Sequence, residues 1–174
     1  MTTEVHEVAG VNEVTVELVE ASPKELNEIG KIVAVMSGKG GVGKSVVASL
    51  LATCFAREGK DVGILDADIT GSSIPKIFGL NARPTGSETG ILPILSRSGI
   101  EIISMNLLLP SEDEAVIWRG SLMSKDIRQF WEEVLWGKLD YLIIDLPPGT
   151  GDAALTVLQA IPISGVIGVF TPRS

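Results

Sequence analysis

Ile32-Val33-Ala34-Val35-Met36-Ser37-Gly38-Lys39-Gly40-Gly41-Val42-Gly43-Lys44-Ser45 decides how this chain folds. The apolar run Ile32 to Met36 reads as a central parallel strand, and the residues from Gly38 to Ser45 fit G-x-x-x-x-G-K-[ST]. Such a pattern, after a strand and opening a helix, is a phosphate-binding loop. Glycine at 38, 40, 41 and 43 lets the backbone curl so that successive amides point at phosphate oxygens, and the helix beginning near Lys44 adds its positive end. Lys44 is expected between the β- and γ-phosphates of a nucleotide. The Ser45 hydroxyl is expected as a ligand of Mg²⁺, and Val42 and Val46 complete the nucleotide-contacting stretch.

Lys39 narrows the class. A lysine at the rim of a tight glycine turn cannot easily fold back onto its own phosphates. It can reach across a two-fold interface into a partner's site and neutralise charge on the transferred phosphoryl group. A solvated surface lysine is the alternative.

Outward from the loop, strand, loop and helix recur. Ser45 to Arg57 carries Val46, Leu50, Leu51 and Phe55 at helical spacing, and Gly59 closes it. Val62 to Leu65 reads as the next strand, Ile74 to Phe78 as a short helix, and Ile91 to Leu95 and Ile100 to Ser104 as short strands. Leu107 to Trp118 is a long connection. Leu122 to Trp136 reads as a helix, Tyr141 to Ile144 as a core strand, Ala153 to Gln159 as a short helix and Val166 to Phe170 as a last strand. This is the grammar of an α/β, doubly wound sheet. Residues 31–174 form the domain. Residues 1–30 form an acidic tail with seven glutamates against one lysine. Within the tail, the alternation of Val14, Val16 and Leu18 reads as an edge strand or as plain tail.

Three aspartates follow strand ends, where such folds hold their ligands. Asp68 is expected to face the γ-phosphate and orient the attacking water. Asp66 lies two residues back on the same side of an extended chain, where it would hold a Mg²⁺-bound water or cap a turn. Asp145 opens Asp145-Leu146-Pro147-Pro148-Gly149-Thr150-Gly151-Asp152 and is expected to hold another water of the metal. The prolines stiffen that loop while Gly149 and Gly151 let it move, so that a glycine amide, Gly149, would bond the γ-phosphate in the ATP state. His6 reads as solvated, Cys54 as a core packing residue, and Trp118, Trp131 and Trp136 as core or interface anchors.

Hydrophobic residues make up 45% of the 174, charged residues 21%, and the formal net charge is -8. No long-range field draws such a chain to nucleic acid or to an anionic membrane. No apolar stretch is long enough to span a bilayer, and one cysteine excludes an internal disulfide or CxxC site. Together with the lack of a leader this reads as cytoplasmic.

The segments Ser37 to Ser45, Leu65-Asp66-Ala67-Asp68-Ile69-Thr70-Gly71, Trp118-Arg119-Gly120 and Asp140 through Asp152 carry a family likeness that runs from about Ile32 to Pro172. Together they resemble the deviant phosphate-loop ATPases of the nitrogenase iron protein and septum-site-determining class. Within that class they are most similar to the Mrp/NBP group of iron-sulfur cluster carrier ATPases. The resemblance implies a P-loop NTPase fold of the SIMIBI, MinD-like type: a mostly parallel, doubly wound sheet flanked by helices, with its C-terminal strands and helices missing here. It also implies ATP and Mg²⁺ as cofactors and a homodimer across the nucleotide. Lys39 would then act across that dimer, Lys44 and Ser45 on phosphate and Mg²⁺, and Asp68 on the water, with Asp145 in the second switch. Family members bridge a [4Fe-4S] cluster between subunits with a CxxC pair and deliver it to apoproteins, which makes apo iron-sulfur proteins the implied partners.

The chain departs from that pattern in its lone Cys54, in Ser72 for the usual proline, in Val46 for the common threonine and in Arg173-Ser174 where the family continues into a helix. Two functions follow. One is Mg-dependent ATP hydrolysis in a cluster carrier that retains the nucleotide machinery. The other is a nucleotide-dependent dimeric switch or interaction protein that carries no cluster. A membrane-positioning role lacks its C-terminal amphipathic helix, and a GTPase lacks an Asn-Lys-x-Asp segment.

Overall fold

Apolar runs without alternation belong to strands covered on both faces, and the sheet is built from them. The computed structural model describes residues 23–68, 71, 73–87, 90–108, 131–149 and 151–172. In chain order the elements are α1 (Pro23–Leu26), β1 (Glu28–Ser37), α2 (Lys44–Arg57), β2 (Val62–Asp66), α3 (Ile74–Ile77), β3 (Thr85–Ser87), β4 (Gly90–Leu92), β5 (Ile94–Leu95), β6 (Glu101–Ser104), α4 (Met105–Leu108), β7 (Lys138–Asp145), α5 (Asp152–Ala160) and β8 (Gly165–Val169). Among the described residues six strands form one sheet in the order β5-β6-β2-β7-β1-β8, parallel except for β5 against β6. The strands β3 and β4 make a separate antiparallel pair.

Helices cover both faces. On one, Val35, Ile64, Ile102 and Ile143 pack with Ala48 and Ala52 of α2 and Ile74 of α3. On the other, Ala34, Leu65, Ile103, Leu142 and Ile144 pack with Trp136, Met105 of α4 and Val157 of α5. The doubly wound, mostly parallel sheet read from the sequence is therefore the one observed. Among the described residues no helix is long and apolar enough to cross a membrane.

Three readings are corrected. The first strand begins at Glu28 rather than Ile32, so residues 28–30 are not tail. Glu28 and Ile29 pair with Lys138 and Leu139, and backbone pairing at the edge of the core needs no apolar run to announce it. Just before them, the Asn27 side chain donates to the Val134 carbonyl at 2.8 Å and accepts from the Trp136 and Gly137 amides at 2.8 and 3.0 Å.

The inner face of α2 is the second correction. Lys44, Ala48, Ser49 and Ala52 are buried there, while Val46 and Leu50 are 52% and 59% exposed. Small side chains let the helix approach the sheet closely, and this outranks the larger apolar residues at the same period. Leu51 and Phe55 of the expected set do pack against this core, with the Phe55 ring stacked on Tyr141 at 4.2 Å between centroids. Cys54, the third correction, falls on the outward side and is exposed.

Pro93 divides the expected strand Ile91 to Leu95 into β4 and β5, since it has no amide to donate. The Val14 to Leu18 strand, His6, Ile69, Thr70, Ser72, Trp118-Arg119-Gly120, the connection beyond Leu108, residues 122–130 of the expected helix, Thr150 and Arg173-Ser174 lie outside the described residues.

Candidate functional site

Because β1 runs inside the sheet between β7 and β8 and α2 starts over its end, the chain must turn sharply between Ser37 and Lys44. Gly41 and Gly43 make the turn at φ of 78° and 90°, a region that side-chain-bearing residues avoid. Gly38 and Gly40 need no such conformation, so two of the four glycines carry the curl. Gly43 is the N-cap of α2 and offers no side-chain cap, and its carbonyl accepts the Val47 amide at 3.0 Å. The earlier amides of the first turn have no intrahelical acceptor. The Ser37 hydroxyl, fully buried, donates to the Lys39 carbonyl at 3.0 Å and braces the start of the loop.

Below the loop, Lys44 Nζ donates to Asp145 Oδ1 at 2.5 Å, with both side chains buried. Register explains the meeting. Asp145 is paired with Val35 of β1 on one side and Asp66 of β2 on the other, and alternation puts all three on the α2 face. Burial pushes the Asp145 carboxyl above its ordinary range. The Lys44 charge and hydrogen bond and the Ser45 hydroxyl oppose that rise, and Asp68 adds to it. Among the described residues Asp145 Oδ2 is buried without a hydrogen-bond partner.

A cleft of about 430 Å³ opens above this pair, lined by Ser37, Gly40, Gly41, Gly43, Lys44, Ser45, Val46, Asp68, Gly71, Ser73, Ile77 and Pro148. It brings together Gly40, Gly41, Gly43, Lys44, Ser45, Val46 and Asp68 of the residues expected from the sequence. Asp68 is buried, and its Oδ1 accepts the Gly71 amide at 3.1 Å.

Gly38, Lys39 and Val42 instead line a neighbouring recess of about 340 Å³ with Val169, Phe170 and Thr171. Lys39 is exposed.

Two expected roles meet a different geometry. Asp66 lies beneath the cleft with Oδ1 on the Asp68 amide at 3.1 Å and Oδ2 on the Ser104 hydroxyl at 3.2 Å. Both oxygens already serve protein donors, which fits a carboxylate that holds the Asp68 turn better than one that faces a metal. The Gly149 amide, expected on the γ-phosphate, donates to the Ser37 carbonyl at 2.8 Å. The loop after β7 runs on beside β1, and Leu146 likewise donates to the Val35 carbonyl at 3.0 Å.

Ser104 was missed by the sequence reading. A hydroxyl closing the apolar run Ile102-Ile103, at the same strand end as the aspartates, was the available signal. Residues that could hold a cation are Ser45 and Asp145. Among the described residues no group of three His, Cys, Asp or Glu side chains forms a metal site.

A family model described as ParA, NUBPL iron-transfer P-loop NTPase, matches residues 28–174. The iron-sulfur cluster carrier protein of Methanocaldococcus jannaschii is 50% identical over 152 residues, covering 86% of this chain and 52% of that protein. The iron-sulfur cluster carrier protein of Escherichia coli K12 is 49% identical over 150 residues, covering 85% and 40% respectively. The chain thus spans about half the length of the curated relatives it matches. Among solved structures, the nucleotide-binding protein of Archaeoglobus fulgidus in complex with ADP is 50% identical, with a TM-score of 0.72 over 82% of this chain and 55% of that one. The septum site-determining protein MinD of Pyrococcus horikoshii with Mg-ADP, at 20% identity and a TM-score of 0.62 over 84% and 59%, shares the fold.

Proposed function

The chain belongs to the NUBPL iron-transfer P-loop NTPase family, to which its iron-sulfur cluster carrier relatives attach it, and from that membership we propose that it binds and hydrolyses Mg·ATP as the nucleotide module of a cluster carrier. The buried Lys44–Asp145 pair under an open glycine loop carries this reading. Burying two charges costs several kcal/mol per ion before their attraction is counted. The cost is reasonable where an incoming polyphosphate takes over the lysine.

In this reading the loop amides and Lys44 receive the β- and γ-phosphates, and Asp68 orients the attacking water from the opposite wall. Lys39 reaches the nucleotide of a second copy, which makes the homodimer the hydrolysing unit. The Gly149 amide leaves the Ser37 carbonyl when a γ-phosphate offers a stronger acceptor. Ser45 and Asp145 fit Mg²⁺, since Asp145 Oδ2 is buried and unpartnered below the cleft that Ser45 lines. When bound, the ion would neutralise phosphate charge, with Ser45 as a direct ligand and Asp145 acting through water.

The cluster is cargo in this reading, and these residues do not hold it. The chain has one cysteine, Cys54, on the outward side of α2, so the 174 residues supply no cysteine pair. A second reading is a nucleotide-dependent dimeric switch that binds apo iron-sulfur proteins or other partners without carrying a cluster itself. Equilibrium binding of Mg·ATP with oligomeric state followed in the same samples tests the first reading. Micromolar binding, ATP-dependent dimerisation and phosphate release lost in Lys39→Ala are expected, and a folded monomer indifferent to ATP would sink it. Iron and sulfide content after anaerobic reconstitution separates the two readings.

A further inference from the structure

Ser104 closes β6 fully buried, and nothing in the chemistry above uses it. It stands directly across from Asp66 of β2, and Asp66 in turn stands across from Asp145 of β7. Three strands therefore end on one level as hydroxyl, carboxylate, carboxylate, all on the α2 face. β6 and β7 lie on opposite sides of β2. The Ser104 hydroxyl, donating to Asp66 Oδ2 at 3.2 Å, turns that oxygen toward β6 and away from the like-charged Asp145.

With Oδ2 fixed there, Oδ1 faces the outgoing chain and accepts the Asp68 amide at 3.1 Å. Asp68 then accepts the Gly71 amide on its own Oδ1 at 3.1 Å and lines the cleft. An apolar residue at 104 would withdraw a donor from a buried carboxylate, where hydrogen bonds to charge are strong.

We infer that Ser104 is a positioning residue for nucleotide hydrolysis: its hydroxyl sets the Asp66 carboxylate, and through it the turn that presents Asp68 to the cleft. The inference rests on the ATPase reading. Its reach is the water-facing side of the site, since Lys44, Ser45 and the loop amides stand on other supports. Loss of the hydroxyl should therefore lower turnover and leave nucleotide affinity nearly untouched.

The test compares Ser104→Ala, Ser104→Cys and Ser104→Thr with the wild-type chain by steady-state ATP turnover and by amide hydrogen exchange without nucleotide. Ser104→Ala is expected to lower kcat about tenfold with KM for Mg·ATP moved less than about twofold. It should also speed exchange at the Asp68 amide about tenfold while exchange in β1 stays as it was. Ser104→Thr, which keeps the hydroxyl, should restore both, and Ser104→Cys keeps the volume if the alanine variant does not fold. A threonine variant that behaves like alanine overturns the inference, as does a loss confined to KM. Unchanged exchange at Asp68 overturns it whether or not turnover is seen. A wild-type chain with no turnover would sink the ATPase reading itself, and faster Asp68 exchange in Ser104→Ala would still show that the hydroxyl sets the turn.

Discussion

The two ends of the sheet use the same residue type in opposite ways. At the carboxyl end Asp66, Asp68 and Asp145 are buried and engaged by a lysine, a hydroxyl and backbone amides. At the amino end Asp61 and Asp140 are exposed, and they tie the turn before β2 to the start of β7. Asp140 Oδ2 accepts the Asp61 amide at 3.0 Å, and the Asp61 carbonyl accepts the Asp140 amide at 2.8 Å. An exposed aspartate keeps most of its hydration and asks little of its surroundings. A buried one needs a dedicated partner, so the density of partners at one end marks where the chain handles charge.

The comparison is broken most directly at Lys44. Lys44→Ala leaves Asp145 buried without its cation, so a loss of about 3–5 kcal/mol in unfolding free energy is expected, together with loss of Mg·ATP binding. Removing the other charge as well, in Lys44→Ala/Asp145→Asn, should return most of that stability and none of the binding. Urea unfolding and calorimetry read both quantities. A single variant as stable as wild type would mean that the pair is not the charged unit described.

Sensitivity at the amino end comes from packing rather than charge. A Cβ on Gly63 would lie 2.8 Å from Leu139 Cδ1 and 2.9 Å from both Leu142 Cδ1 and Trp136 Cζ3. Gly63→Ala is expected to cost about 1–3 kcal/mol through overpacking while nucleotide affinity is unchanged. Asp140→Ala, which removes an exposed acceptor from the Asp61 amide, should cost about 0.5–1.5 kcal/mol. Chemical denaturation of the two variants sharpens the contrast, and a larger loss for Asp140→Ala than for Gly63→Ala would reverse it.

How much of this was legible in the sequence follows the same division. The glycine loop, Lys44, Asp68 and Asp145 could be placed because a local pattern carries them and each lies at or beyond the carboxyl end of a strand. The α2 face could not, because helical periodicity weighs Val46 and Leu50 by their apolar size. The sheet selects Ala48 and Ala52 by smallness. The start of β1 was hidden for a related reason, as Glu28 joins the sheet through its backbone alone. Ser104 and the Gly149–Ser37 bond depend on which strand lies beside which. Strand order is a property of the whole chain, and no short window contains it.

The finest test of the comparison is Glu101, the half-buried acid that opens β6 beside Asp61. Burial, and after it the Asp61 charge, raises its carboxyl from 4.5 to about 7. Among the described residues no lysine pairs with it as Lys44 pairs with Asp145, so there the amino end meets the problem of the carboxyl end without a paired cation. The sign follows from proton counting. Below 4.5 Glu101 is neutral both folded and unfolded. Between 4.5 and about 7 the folded chain holds a proton that the unfolded chain has released, so stability falls as pH rises through that window. Above it the full cost of the buried charge stands. Solvent screening at a half-exposed position keeps that cost below about 1 kcal/mol. Glu101→Gln should therefore be more stable than wild type at pH 8, with the gap closing toward pH 5, as read by parallel thermal melts. A gap that stays constant with pH would show that Asp61 and water already compensate Glu101, and that the two ends differ less than their partners suggest.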